Sequence, residues 1–502
     1  MRTVTLTFIF GLFALLSCDK KNDPIPNPPD EGKSEIRINS IQLQDWTDGP
    51  KKVYENEWNL SIQKSGDNSP ISFSFHPNNS PIQEKIELEK GSYSYSYESE
   101  STPTFSDFLP VKISGEFDAE NPDQPVDLNG VAKSKRVFFQ MNYESSTPKL
   151  EQPQIMDFYP QEGDFYLYYN TSDLLKIRIP FPESERFLTQ FHAANSTSLS
   201  TTYRVEWPEN NDFYENSIKL DENEWPVTLI PTTLNRLDES QDETSGLAWI
   251  EGRLFSINDG DNSNEIHEID PFSGAVVRSI EVTNAANVDW EDLAQSENHL
   301  FIGDFGNNIG NRRDLVIYKV AISDLLNQAV LEAEKIEFNY PNQTDFGNNS
   351  MNHEFDCEAM VYLDGSLHLF TKNWVSESSD HYILPSDAGS YDAELLENID
   401  LDGLVTAADI DPESGRLILM GFRRLGSNPL EQWLWFFEGI AENKVQGRFQ
   451  QSKIGGIPAR GFPEGLAFWE KGNIWISSER FVLEGVYDIP PLIGVVGLEG
   501  LF

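Results

Sequence analysis

Positive charge is scarce in this chain. Against 82 aspartates and glutamates stand 37 lysines and arginines, for a net charge of −45. So acidic a surface repels phosphate backbones, and nucleic acid is excluded as an expected partner. Cysteine is scarcer still, with only Cys18 and Cys357 present. If Cys18 is consumed at the N-terminus, as argued below, Cys357 is alone and no intramolecular disulfide can form. The apolar strand pattern around Cys357 predicts a buried structural thiol. Beyond the first residues, no apolar run approaches the roughly 20 residues that a membrane span needs. Familiar catalytic signatures are missing as well. There is no G-x-S-x-G elbow, no H-E-x-x-H and no Walker or Rossmann glycine pattern. The 7 histidines are scattered, and His353 lies near Glu358 without a partner histidine. Most of the 11 tryptophans sit in strand patterns, which assigns them to cores rather than to sugar stacking.

What is present begins with an address. Arg2 precedes an apolar run from Val4 to Leu16, too short to span a bilayer and of the length of a signal-peptide core. The run ends Leu15-Leu16-Ser17-Cys18, which resembles the lipobox of bacterial lipoproteins. The resemblance implies that residues 1–17 are removed and that Cys18 is acylated, so that several acyl chains hold the protein on a membrane. Loss of Arg2 would leave the net charge one unit more negative. Residues 18–34 are rich in charge, proline and glycine, and read as a flexible tether. The charged run just after Cys18 resembles export signals of Bacteroidetes-type surface lipoproteins. That implies a lipid-anchored location at the outer membrane or cell surface, with a periplasm-facing orientation left open.

The exported part is expected to be all-β, and its length predicts two or three domains. Over residues 35–145, apolar and polar residues alternate, as in Ile36/Ile38, Trp58/Leu60/Ile62, Tyr93/Tyr95/Tyr97 and Val111/Ile113. About seven such runs separated by turn signals suggest a small immunoglobulin-like β-sandwich. A linker follows at 146–153. Residues 154–225 read as a small β-rich region, either a second domain or an elaboration of the first. Within it, residues 182–194 fit a helix, with Phe187, Leu188 and Phe191 on one face.

From residue 226 to 502 an internal repeat appears. Ser245-Gly-Leu-Ala-Trp249, Glu291-Asp-Leu-Ala294, Glu358-Ala-Met-Val-Tyr362 and Glu464-Gly-Leu-Ala-Phe468 align, with Thr406-Ala-Ala-Asp-Ile410 as a weaker fifth. Each precedes a polar turn and an apolar strand, and the intervals are 46, 67, 48 and 58 residues. Strand pairs at this period predict a β-propeller of five blades, or six if one has diverged. The alignment places Ser245, Glu291, Glu358, Thr406 and Glu464 at equivalent positions around one mouth. Convergent glutamates repel and call for a cation, a proton or a basic ligand between them. The alternative is that each glutamate pins its own blade through backbone N–H groups. Arg312, Arg313 and Lys372 could supply positive charge. Two loops add acidic residues: 258–265 with Asp259 and Asp261, whose spacing only partly matches a calcium loop, and 303–314 with Asp304 at a strand end.

At these residues the series SGLAW…NDGD, DWEDLA…IGDFGNN…R, CEAMVY…LFTK, TAADID and PEGLAF resembles secreted and lipid-anchored bacterial propellers described as phytase-like, esterase-like or SdiA-regulated. The resemblance covers residues 236–502. Phytase-like members imply calcium-dependent phosphomonoester hydrolysis. Carried over, Glu291, Asp304, Glu358 and Glu464 would hold Ca2+, while Arg312 and Lys372 would meet the anion. Basic residues are sparse near the motifs, whereas a phosphate pocket needs several donors. The expectation is therefore a membrane-anchored module whose acidic mouth binds a small-molecule, glycan or protein ligand. The candidate ligand-binding residues are Glu291, Asp292, Asp304, Arg312, Glu358, Lys372 and Glu464. The candidate metal ligands are Asp259, Asp261, Asp304, Glu291 and Glu358. A calcium-dependent phosphoester or ester hydrolase and a structural adhesion or scaffold protein are the alternatives.

Overall fold

A computed structural model of the chain describes residues 32–501, apart from 47–49, 80–81, 83–84, 122, 145–146, 182–183, 208–215, 221–224, 426–427, 448 and 457–459. The expected signal sequence at 1–17, Cys18 and most of the expected tether at 18–34 lie outside the described residues. Among the described residues every regular element is a strand except the helix Ile322–Asn327 and two short 3-10 turns. The chain divides into two compact units. One holds residues 32–45, 52–101 and 110–132, and the other holds 46–51, 102–109 and 133–501.

The first unit is one seven-stranded sheet. Its order is Ile71–Phe75, Trp58–Lys64, Gly91–Glu98, Val111–Ala119, Gln124–Ala132, Lys33–Leu43, Lys85–Glu89. The alternation read from the sequence buries Ile36, Ile38, Trp58, Leu60, Ile62, Tyr93, Tyr95, Val111 and Ile113. The immunoglobulin-like sandwich expected over 35–145 is corrected here: a single near-barrel sheet replaces two facing ones. Alternation reports which face is buried and not which strand is the neighbour, so it fits both forms. Coiling is eased by bare backbone at Gly115 and Gly130. A Cβ on Gly115 would meet the Tyr95 ring at Cε1, 3.0 Å away, and one on Gly130 would lie 2.9 Å from Ile113 Cα. The curl brings Lys64 Nζ within 2.7 Å of Glu89 Oε2, although their strands are far apart in the sheet order.

The second unit is built on five sheets. The first is Thr244–Ile250, Arg253–Asn258, Glu265–Ile269 and Val276–Val282, edged by Val330–Leu331. The second is Trp290–Gln295, His299–Asp304, Leu315–Ala321 and Glu334–Asn339, edged by Gly389–Asp392. The third is Cys357–Leu363, Ser366–Thr371, Ser379–Pro385 and Glu394–Ile399. The fourth is Leu404–Ile410, Leu417–Leu425, Asn428–Phe437 and Gln450–Gly456. The fifth is Phe462–Phe468, Ile474–Glu479, Leu492–Val496 and Thr232–Arg236. The innermost strands touch one another in cyclic order, the fifth returning to the first. Thr232–Arg236 precedes the first sheet in sequence yet completes the fifth, which ties the ring shut. These sheets are consistent with the blades of a propeller. Cys357 is buried at the start of the third inner strand, as the apolar pattern predicted.

Residues 133–230 join the same core. Lys135–Met141, Asp164–Tyr169, Ser200–Glu206, Ser217–Leu220 and Pro226–Thr228 extend the fourth sheet beyond Gln450–Gly456. A separate sheet holds Lys149–Gln152, Leu174–Pro180 and Phe187–Ala193. Val137, Phe139, Leu175 and Ile177 share one cluster with Ile418, Met420 and Leu434. The helix expected at 182–194 is corrected: Phe187–Ala193 is a strand antiparallel to Leu174–Pro180. The spacing of Phe187, Leu188 and Phe191 suited a helix face, but burial extends to Thr189, Gln190 and His192 as well. A segment buried on both faces suits an interior strand, whose polar side chains find fixed partners.

His192 shows how such a partner set couples to pH. Its Nε2 lies 2.7 Å from the Tyr169 hydroxyl and its Nδ1 3.1 Å from that of Tyr203. Burial pushes its pKa down to about 3. The unfolded imidazole takes its proton near pH 6.5, whereas the folded one does so only far below. Stability is therefore complete above pH about 6.5 and falls as pH drops from there toward 3, by about 1.4 kcal/mol per unit for this group. His192→Gln should flatten that acid slope relative to the unaltered chain in urea titrations run across the range. Equal slopes would refute the assignment.

Candidate functional site

The five aligned positions share a backbone device. In every sheet the pairing between the inner strand and its neighbour slips at the aligned residue. The breaks fall between Thr244 and Leu247, Trp290 and Asp292, Cys357 and Ala359, Val405 and Ala407, and Pro463 and Gly465. Ser245, Glu291, Glu358, Thr406 and Glu464 are thus bulge residues, left out of the ladder. A bulge turns its side chain away from the regular alternation. In the first, second, third and fifth sheets the second strand ends at this level, which brings Asn258, Asp304, Thr371 and Glu479 beside the inner-strand starts.

The hydroxyl members tie neighbouring sheets together. Ser245 donates to the Glu291 carbonyl, and Thr406 Oγ1 donates to the Pro463 carbonyl at 2.7 Å. The glutamates behave differently. Glu358 Oε1 lies 3.1 Å from Lys372 Nζ, with both side chains buried. Among the described residues no donor reaches the carboxylates of Glu291, Glu464 or Asp289. One carboxylate oxygen from each of Asp259, Asp289 and Glu291 lies within 4.8 Å of the other two. Asp259 and Asp289 are half-buried and Glu291 is 4% exposed.

Glycines make room for this cluster. A Cβ on Gly306 would land on the Glu291 and Asp289 carboxylates, and one on Gly260 would meet Asp289 Oδ1 at 2.7 Å. Beside Asp259, the amide oxygen of Asn258 is buried and accepts no hydrogen bond.

Electrostatics follow from burial and crowding. Burial, then Asp259 and Asp356, push the Asp289 pKa up to about 7. Burial, then Asp259, Glu358 and Asp289, push Glu291 well above the usual carboxylate range. Asp259 is raised mainly by burial. Glu464 and Glu358 are raised by burial, with Lys372 pulling the other way. Glu479 rises to about 7 through burial and Asp259. Burial opposes the Lys372 charge, but Glu358, Glu464, Asp356 and Glu291 outweigh it and hold the proton on. Lys372 is therefore one ammonium among many carboxyl groups.

The remaining candidates are placed elsewhere. Asp292, adjacent to Glu291, is fully buried and pins the scaffold. Its Oδ1 accepts from Leu293 N–H at 2.8 Å, and its Oδ2 from Met360 N–H at 2.9 Å and Ala408 N–H at 3.3 Å. Asp409 does the same for the fifth sheet, accepting from Phe468 N–H at 2.7 Å. Asp304 Oδ1 accepts from Asp289 N–H at 3.0 Å and from Arg312 Nη2 at 2.9 Å. Arg312 also donates to the Gly306 carbonyl and to Asp314, so its guanidinium is spent clasping the 303–314 loop. Arg313 stacks over Phe346 at 3.5 Å. Asp261 is exposed in a left-handed turn position, φ 63°, and stands outside the cluster. Of the five metal candidates, the structure brings Asp259 and Glu291 together and adds Asp289, which sequence reasoning passed over. Asp289 stands two residues before Glu291 in the same motif, a spacing that was available as a signal.

Three convergent carboxylates form an oxygen-only, hard-ligand set of the kind that suits Ca2+. The described residues thus fit a cation. They fit a phosphate poorly, because Arg312 and Lys372 are engaged with Asp304 and Glu358.

No protein-family model matches the chain, and no curated protein does. Solved structures with some likeness include the WD40 repeats of RRP9, at 9% identity over 54% of this chain and 94% of that one, with a TM-score of 0.23. A Lactobacillus plantarum protein matches at 7% identity over 80% of this chain and 98% of that one, with a TM-score of 0.26. A DUF1812 protein of Bacteroides thetaiotaomicron matches at 8% identity over 39% of this chain and 94% of that one, with a TM-score of 0.20. Scores this low carry no functional inference, and the blade arrangement rests on the strand pairings themselves.

Proposed function

We propose that this protein is a lipid-anchored, extracytoplasmic binding module whose five-bladed propeller holds a divalent cation, Ca2+ by its ligand chemistry, on Asp259, Asp289 and Glu291, and captures its ligand through that cation. The observation that carries this reading is the convergence of three carboxylates within 4.8 Å, with no protein donor on Asp289 or Glu291 among the described residues. Buried like charges are costly unless a cation or protons neutralise them. The N-terminal run ending in Ser17-Cys18 supports the anchor and the location outside the cytoplasm. A hydrolase at the same mouth would share the cation but would also need free anion donors, which the Asp304–Arg312 and Glu358–Lys372 pairs do not offer. Binding is therefore the stronger reading.

Calorimetric titration of the chelator-treated chain with CaCl2 tests it. One cation bound per chain, with a matching rise in melting temperature, is expected. A flat titration together with an unchanged melting temperature would refute it.

A further inference from the structure

The most unusual exposed feature of the second unit lies beside this mouth. Glu479 ends the second strand of the fifth sheet, and the chain then leaves that sheet to form a separate two-stranded hairpin, Phe481–Leu483 with Tyr487–Ile489. Pairing sets Phe481 opposite Ile489 and Leu483 opposite Tyr487, so these four share one face. At the base, Phe481 packs edge-on against Phe462 with ring centroids 5.3 Å apart. Toward the tip, Leu483 is 47% exposed, Tyr487 42% and the turn residue Val486 63%. On the other face Val482 is 56% exposed.

The hairpin is firmly rooted. Arg480 Nη1 lies 3.0 Å from Asp242 Oδ2, its Nε 3.1 Å from Asp488 Oδ1, and its backbone N–H donates to the Asp242 carbonyl at 2.7 Å. A loop held this way does not collapse onto the body to hide its apolar tip. A clustered apolar surface on an otherwise acidic chain marks an interaction site rather than chance exposure. Sheet order gives the hairpin no further strand on either edge among the described residues.

We infer that the Phe481–Ile489 hairpin docks a partner protein through an extended segment in which lysine or arginine alternates with apolar residues. The segment would add to the hairpin edge, lay its apolar side chains on Leu483, Val486 and Tyr487, and turn its basic ones to the surrounding acid. Period-two alternation is what a strand needs to present one side chain type to each face. Charge complementarity fixes the sign. Glu484 stands exposed in the hairpin turn, Asp242 and Asp488 together outnumber the one Arg480 they pair with, and the chain carries a net charge of −45. This surface is distinct from the cation cluster and does not depend on it.

Fluorescence polarisation of the full chain, with and without CaCl2, against labelled (Lys-Val)4, (Glu-Val)4 and (Lys-Ser)4 tests the inference. (Lys-Val)4 should bind at least about tenfold more tightly than the other two, and the double variant Leu483→Asp/Val486→Asp should weaken it by about tenfold or more. Both substitutions are at exposed positions, so the melting temperature should hold, which separates lost docking from lost fold. Equal binding by all three peptides, or by the variant and the unaltered chain, would overturn it. So would variant-sensitive sedimentation with phosphatidylcholine vesicles in place of peptide binding, since that would make the hairpin a lipid-contacting element.

Discussion

Glu291→Gln should move stability in opposite directions depending on calcium. Without the cation, the variant should be more stable than the unaltered chain. Glu291 is 4% exposed, and its carboxyl has an oxygen within 4.8 Å of two other carboxylates and receives no donor among the described residues. Folding therefore forces either repulsion or proton uptake there, and an amide of the same shape removes that demand. With the cation, the order should reverse. A site saturated at a hundredfold excess over its dissociation constant contributes about 2.7 kcal/mol. Loss of one of three charged ligands should weaken affinity by about a hundredfold or more, which cancels that gain at the same concentration. Gly306→Ala should weaken cation binding by another route, because its methyl would occupy the space against Glu291 Oε1. Urea titrations with and without CaCl2 read both signs. A variant that gains as much from calcium as the unaltered chain would place the cation away from Glu291.

The position of Glu291 could be found from sequence because the bulge recurs. A device that places one residue of each blade at the mouth leaves a repeat in the chain, and the five aligned segments fall on the five bulges. What surrounds those residues was harder to see. Asp289 lies outside the aligned segment, and Glu479 comes from a strand end that reaches the mouth only once the ring closes. Asp292 looked equivalent to its neighbour because alternation alone cannot tell which of two adjacent acids faces the mouth when a bulge intervenes. Arg312 read as a donor for an anion because sequence does not show that Asp304, Gly306 and Asp314 already engage it. The hairpin at Phe481–Ile489 carries no repeat or motif that sets it apart in the sequence. Its separation from every other sheet depends on tertiary pairing. The first unit carries the same lesson, since its alternating residues were legible while their single-sheet pairing was not.

Asp292→Ala should be among the most destabilising single changes in the second unit. The carboxylate accepts backbone N–H groups from its own strand and from the third and fourth inner strands, at Leu293, Met360 and Ala408. Removing it orphans donors at the centre of the ring, where Asp292 is 0% exposed and water does not replace it. An unsatisfied buried group costs about 1–3 kcal/mol. With the contributions overlapping, a loss of about 3–5 kcal/mol is expected, a large share of the roughly 5–15 kcal/mol that holds a domain folded. Asp292→Asn keeps one acceptor oxygen and should lose less. Because Asp292 and Glu291 are adjacent, the pair of variants tests the bulge itself: neutralising Glu291 should stabilise the cation-free chain, while truncating Asp292 should unfold it at lower urea. If both variants shift the midpoint the same way, the assignment of one acid to the site and the other to the scaffold is wrong.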